Sequence, residues 1–270
     1  MPPDPEVEER ALEERGSVLD RRLDRLIKIV VFLLVVVSLA FGAYYYYFQY
    51  SQGKMSTKER LIDQAKVFVR QNPRNVDARV RLGVLYAELG KYDEAIEQYN
   101  QALKLVYDNQ GGLVFRGIAY MNKGNNQAAL ASFKKEIKYY KNTAQAKAND
   151  YLEQAYYYSG LIFWKNKDYD QAIEYLKNAL EIRKTSADTH SWLGKVYLDK
   201  GSIDDAINSF NEALKYDPRF ADAHLGLGQA YEKKNDKEKA ITHYKEVLKI
   251  SSDSTMAKEA LDRLTGGGKK

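Results

Sequence analysis

A glycine that recurs five times constrains the fold of this chain more than any other feature of its sequence. The repeated glycines are Gly83, Gly117, Gly160, Gly194 and Gly228. Three of the four intervals are thirty-four residues long, and the interval after Gly117 is forty-three. Each glycine is followed three positions later by an aromatic residue and twelve positions later by an alanine. Self-similarity at this fixed period indicates stacked helical repeats.

Each repeated unit has the sequence pattern of two helices. Its apolar residues return every three to four positions over two runs, which is the spacing of an amphipathic helix. Breakers such as Gly90 and Gly201 separate the runs, because glycine closes one helix and a short polar side chain starts the next. A single helix pair cannot bury both of its apolar faces, so neighbouring pairs must stack. We therefore predict an all-α solenoid of helix-turn-helix units.

The fourth unit shows the recurring residues most fully. It carries Leu193, Gly194, Tyr197, Ala206, Phe210, Ala213 and Pro218. This pattern resembles the tetratricopeptide repeat, in which a Leu-Gly, a Tyr, small residues, an aromatic and a closing Pro recur together. The resemblance implies five repeats, with a spacer of nine residues after the second. They are expected at residues 76–109, 110–143, 153–186, 187–220 and 221–254.

Both ends of the array need a helix that covers the exposed apolar face. Residues 58–75 repeat the spacing of a second helix, so they are predicted to form an N-terminal capping helix after a linker at 49–57. Residues 255–264 are predicted to form the closing helix, with Met256, Ala260 and Leu264 toward the core. A flexible tail is expected at 265–270.

Residues 29–48 form an uncharged and strongly apolar run. A helix of twenty residues covers roughly 30 Å, the thickness of the hydrocarbon layer. Tyr44 to Phe48 and Tyr50 form an aromatic band of the kind found at the bilayer surface. We therefore predict a single transmembrane helix in contact with the lipid bilayer, preceded by a disordered or amphipathic tail at 1–28. A cleaved secretory signal is the alternative, disfavoured by the length of the run.

Basic residues flanking this run set the expected orientation. Five precede it and three follow it: Arg15, Arg21, Arg22, Arg25 and Lys28, then Lys54, Lys58 and Arg60. The bias places the N-terminus in the cytoplasm. The expected location is that of a single-pass membrane protein with its repeats on the opposite side, such as the periplasmic or extracytoplasmic face of a bacterial inner membrane.

Charge and motif content disfavour nucleic-acid binding and enzyme chemistry. The 42 Lys and Arg residues are interspersed with 37 Asp and Glu, without a concentrated basic patch. His190 and His224 occupy the same position in consecutive units, and His243 falls on a second helix. We interpret them as packing residues, because zinc requires three or four close ligands and the chain has no cysteine. No catalytic site, metal or cofactor is expected.

The resemblance also implies a concave groove lined by the first helix of each unit. Its second, fifth, ninth and twelfth positions are mostly polar in the last two units and largely apolar in the first three. The predicted groove residues are Val80, Val84, Ala87, Val114, Ile118, Met121, Tyr157, Leu161 and Trp164. Exposed apolar strips of this kind usually bind partners, and Tyr and Trp often dominate interface energy. Tyr157 and Trp164 are therefore the expected anchors.

These observations predict a membrane-anchored scaffold or assembly factor that binds a protein or peptide segment in its groove. The alternative is a cytosol-facing receptor for targeting peptides or chaperone-delivered clients. The side of the membrane on which the repeats lie would distinguish the two.

Overall fold

The computed structural model describes residues 26, 29–30, 32–46 and 56–266, and it divides the chain into residues 1–61 and residues 62–270. Apart from the N-terminal helical residues, twelve α-helices are seen in the described part. They are α1 (Thr57–Gln71), α2 (Val76–Glu88), α3 (Tyr92–Leu105), α4 (Gln110–Asn122), α5 (Asn126–Tyr140), α6 (Asp150–Lys165), α7 (Tyr169–Ile182), α8 (Ala187–Lys200), α9 (Ile203–Tyr216), α10 (Ala221–Lys233), α11 (Lys237–Ile250) and α12 (Thr255–Thr265).

In the N-terminal part, residues 32–46 are helical and their apolar side chains are exposed. Within the described residues, no helix combines the length and apolar character needed to cross a bilayer. The predicted single-pass membrane localisation is therefore wrong, and residues 31, 47 and 48 of the predicted span at 29–48 lie outside the described residues.

Several sequence predictions fall outside the described residues. They concern the tail at 1–28 apart from Leu26, the linker residues 49–55, the last four residues, and the aromatic residues Tyr47, Phe48 and Tyr50.

The repeated glycines allow the two helices of each pair to approach closely. A Cβ atom built on Gly83 would lie 2.5 Å from the ring of Tyr99, and one on Gly228 would lie 2.5 Å from the ring of Tyr244. Both tyrosines are about 1% exposed. Any side chain at these glycines would displace a buried aromatic ring. Each of these two glycines therefore provides the space that the aromatic ring of the second helix fills in the core. This confirms the predicted all-α stack of paired helices.

The turn inside each unit ends the first helix with a left-handed residue. Glycine takes this position in three units, with φ of 71° at Gly90 and 91° at Gly201. Lys167 in the third unit has φ 62°, and Asn235 in the fifth has φ 60°. Lysine adopts this conformation at a cost that glycine avoids.

Regular ion pairs join neighbouring units along the stack. Each links a Lys near the end of a first helix to the second residue of the preceding unit's second helix: Lys123–Asp93 at 2.5 Å, Lys200–Asp170 at 2.5 Å and Lys234–Asp204 at 2.6 Å. At the boundary of the second and third units, Gln127 and Asn166 occupy the equivalent positions. This boundary, which also contains the spacer with its 3₁₀ turn at Ala146–Ala148, therefore has no such ion pair.

The second unit places charged groups at two positions where most of the other units are apolar. Arg116 replaces the usual leucine and donates hydrogen bonds to Asn100 at 3.0 Å and Ser132 at 3.1 Å. Glu136 is fully buried, and neither of its carboxylate oxygens has a hydrogen-bond partner within the described residues. Burial, with the nearby charge of Asp108, raises the pKa of Glu136 to about 8. This unit therefore holds a buried acid whose ionisation opposes folding.

Candidate functional site

The first helices of the five units form the inner layer of the stack. Successive first helices contact one another directly, from α2 and α4 through to α8 and α10. In the described part of the chain, no contact of that extent joins successive second helices. Because the first helices lie closer together, the stack curves with their side on the inside, which is the surface that helical repeats present to partners.

The structure divides the nine predicted groove residues into separate groups. Val80 and Val84 line a pocket of about 490 Å³ together with Phe115 and Tyr151. The side chain of Val114 is 0% exposed and therefore belongs to the core, not to an accessible surface. The remaining predicted residues, together with Val84, are half-buried: Ala87, Ile118, Met121, Tyr157, Leu161 and Trp164.

Hydrogen bonds hold Tyr157 and Trp164 against the next first helix. The Tyr157 hydroxyl donates to the carboxylate of Asp188, and the Trp164 Nε1–H donates to Oδ2 of Asp199 at 2.7 Å. Burial and the bond to Asp188 raise the pKa of Tyr157, so its hydroxyl remains a donor at neutral pH. Both aromatic side chains are thus held by bonds from α6 to α8, with part of each surface accessible.

A second tryptophan extends this cluster onto α8. The rings of Trp164 and Trp192 meet edge to face, with centroids 5.0 Å apart. The Lys195 ammonium lies 5.3 Å from the centroid of the Trp164 ring. Together with Tyr157 and Leu161, these residues form what we call the aromatic cluster. Its centre lies at the junction of the third and fourth units.

Sequence reasoning missed Trp192 because only the second, fifth, ninth and twelfth positions of each unit were assigned to the groove, and Trp192 is the sixth. Its residue type was the available signal, since tryptophan is enriched at binding surfaces. The predicted orientation of Met256 is wrong: this side chain is 58% exposed, whereas its neighbour Ala257 is fully buried. Ala260 is buried and Leu264 packs against the same core, as predicted, so the error is confined to Met256, and Ala257 takes its place in the core.

The histidines pack against other rings. His190 stacks on Tyr216, and the Nδ1 atoms of His224 and His243 lie 3.1 Å apart. Burial and the proximity of His224 lower the pKa of His243. In the regions that the structure covers, no group of three or more His, Cys, Asp or Glu residues is placed to hold a metal ion.

Comparison with sequence families identifies the repeated unit. A family model described as "TPR repeat" matches residues 160–201 and 194–235, and one described as "Tetratricopeptide repeat" matches residues 76–105 and 221–254. Tetratricopeptide repeat protein 14 of Mus musculus is 30% identical over 118 residues. That match covers 44% of this chain and only 15% of the mouse protein.

Solved structures show the same architecture. MamA protein matches with a TM-score of 0.56 and 26% identity, over 66% of this chain and 92% of that one. PilW, described as a widely conserved type IV pilus biogenesis factor, matches with a TM-score of 0.66 and 18% identity, over 79% of this chain and 94% of that one. YrrB, described as a TPR protein with an unusual peptide-binding site, matches with a TM-score of 0.57 and 21% identity, over 73% and 96% of the two chains. At these identities, the likeness to PilW and YrrB is one of fold.

The repeated motif, the stacked helix pairs and the family matches agree over residues 76–105 and 160–254. The chain belongs to the tetratricopeptide repeat family.

Proposed function

We propose that this protein is a scaffold or assembly factor that binds a segment of a partner protein along its inner layer, with the aromatic cluster as the main contact. The observation that carries this proposal is the fixing of Tyr157 and Trp164 by hydrogen bonds to Asp188 and Asp199. Side chains that are already positioned lose less conformational entropy when a partner binds.

The inner layer offers two further apolar surfaces next to this cluster. One is the pocket between α2, α4 and α6 that contains Val80 and Val84. The other is the half-buried pair Ile118 and Met121 on α4. An extended or helical segment that follows the inner layer would meet these surfaces in succession. MamA, PilW and YrrB share this architecture, and the description of YrrB as having a peptide-binding site supports the same use of the fold here.

The proposal is tested by site-specific photocrosslinking in the source cells, followed by binding measurements with the purified partner. A photoreactive residue at Leu161 is expected to capture the partner, whereas one at Tyr139, which is exposed on a second helix, is not. The double variant Tyr157→Ala, Trp164→Ala is expected to weaken the complex by about 30-fold or more, as loss of interface hot spots does.

The matched control is the double variant Tyr107→Ala, Tyr139→Ala. It removes another aromatic pair, with ring centroids 5.7 Å apart, formed by Tyr107 in the turn after α3 and Tyr139 on the second helix α5. Equal capture from positions 161 and 139, or equal loss of affinity in the two double variants, would show that the partner does not bind along the inner layer.

A further inference from the structure

A pocket of about 260 Å³ opens between α8, α10 and α12, next to the aromatic cluster, with which it shares Trp192 and Lys195. Its apolar walls are Trp192, Leu225 and Met256, one from each helix, and the buried Phe210 ring lies at its base. Sites for whole small molecules usually measure about 300–1,000 Å³. The smaller volume suits a single side chain of an incoming polypeptide.

The pocket is open because Gly226 replaces a large side chain. In the other four units the equivalent position, two residues before the repeated glycine, holds Arg81, Phe115, Tyr158 and Trp192. A Cβ atom on Gly226 would lie 2.2 Å from the Phe210 ring. The Phe210 ring therefore fills the space where a side chain at position 226 would begin. The pocket next to this ring remains open.

Acidic groups surround the pocket. Asp188 and Asp222 are the second residues of consecutive units, so they lie at equivalent places on α8 and α10. Asp188 accepts the hydrogen bond from Tyr157, whereas exposed Asp222 makes no hydrogen bond or ion pair with any described residue. The cation of the pocket, Lys195, has its ammonium over the ring of Trp164. With two carboxylates against one ammonium, the net charge of these three groups is negative.

We propose that this pocket selects partner segments in which an apolar or aromatic side chain lies next to a lysine or arginine. The apolar side chain enters between Trp192, Leu225 and Met256, and the neighbouring cation pairs with Asp222. An acidic residue in the same place would be repelled by both aspartates. This inference rests on the proposed function, because it specifies the chemistry of a segment that the inner layer binds.

The two tryptophans of the chain allow a direct test by NMR. Each indole Nε1–H gives its own signal, one from Trp164, which lies in the aromatic cluster and does not line the pocket, and one from Trp192, which the cluster shares with the pocket. The ¹⁵N-labelled full chain is titrated with three synthetic peptides of equal length that contain Lys-Phe-Lys, Glu-Phe-Glu or Lys-Gly-Lys on a common Gly-Ser frame. We expect only the Lys-Phe-Lys peptide to shift the Trp192 signal in a saturable way.

Substitution then tests the charge. Asp222→Asn is expected to weaken binding of the Lys-Phe-Lys peptide by about three- to fivefold, the range of an exposed ion pair, and to reduce its dependence on salt. Asp77→Asn is the matched control, because Asp77 holds the same position in the first unit. Met256→Ala tests the apolar wall at an exposed position and should weaken binding without changing the salt dependence.

The outcomes separate this inference from the proposed function. A response confined to Trp164 would overturn the pocket assignment and leave binding at the aromatic cluster intact. Equal binding of the acidic peptide, or equal effects of the Asp222 and Asp77 substitutions, would overturn the charge selection. Shifts of Trp192 that grow with protein concentration in the absence of peptide would identify a second copy of the chain as the occupant and would overturn the assignment to a partner.

Discussion

The buried Glu136 should make the repeat array less stable as the pH rises. This residue occupies the position held by Ala102, Ala179 and Ala213 in three other units, and it has no hydrogen-bond partner within the described residues. Its pKa is about 8 in the fold, against an ordinary value of 4.5. Between these pH values the folded chain holds a proton that the unfolded chain has released, so rising pH favours unfolding.

The magnitude follows from the difference between the two pKa values. Each pKa unit corresponds to about 1.4 kcal/mol. Between pH 5 and pH 9, Glu136 alone should lower the free energy of unfolding by about 4 kcal/mol. Glu136→Gln removes the titration, so the difference in stability between variant and natural chain should widen over this range in favour of the variant. Glu136→Ala, which installs the residue of the equivalent positions, should behave in the same way.

Urea unfolding followed by circular dichroism at pH 5, 7 and 9 measures this difference. Glu181→Gln is the control, because Glu181 is an exposed carboxylate on a second helix. The reasoning is refuted if the difference between Glu136→Gln and the natural chain stays constant with pH. It is also refuted if the ¹³C-labelled carboxyl of Glu136 titrates near its ordinary pKa in the folded protein.

Three further predictions concern single positions. Lys167→Gly should raise the free energy of unfolding by about 1 kcal/mol, because glycine adopts the left-handed backbone without strain. The urea midpoint measures this gain, and an unchanged midpoint would show that the backbone at Lys167 is not strained. The lowered pKa of His243 means that the unfolded chain binds more protons than the folded chain below pH 6.5, so His243 should oppose the gain in stability that Glu136 gives as the pH drops from 7 to 5. His243→Gln should therefore gain more stability over this range than the natural chain does in urea unfolding, and an equal gain in the two chains would refute the assignment. Lys200→Ala breaks the exposed pair with Asp170 and should lower the urea midpoint only slightly, by an amount that disappears in high salt. A large or salt-insensitive fall in the midpoint would show that packing of the lysine stem dominates.

The repeated Gly, Ala and aromatic residues were sufficient to predict the helix-pair architecture. This worked because each repeated type fills one place in the core, as Gly83 does beneath Tyr99. The membrane prediction failed because it relied on the apolar character of residues 29–48, and no described helix meets the requirements for a span.

The candidate site was less predictable than the fold, for geometric reasons. The partners of Tyr157 and Trp164 lie 31 and 35 residues further along the chain, so identifying them requires the register between neighbouring units. Small errors in helical phase have a similar effect. An error of one residue exchanges the exposed Met256 with the buried Ala257, and a rotation of a few tens of degrees decides whether Val114 faces the core or the groove. Composition carries no information on these rotations.

The boundary between the second and third units has a mechanical consequence. The other boundaries between repeats carry a lysine–aspartate bridge, whereas this one carries two neutral amides and a spacer with a short 3₁₀ turn. If the array is stretched between two attachment points, we expect compliance to concentrate here. The array would then extend by opening at the boundary between the second and third units, while the units on either side stay packed. In a force–extension measurement, this boundary should separate at a lower force than the others.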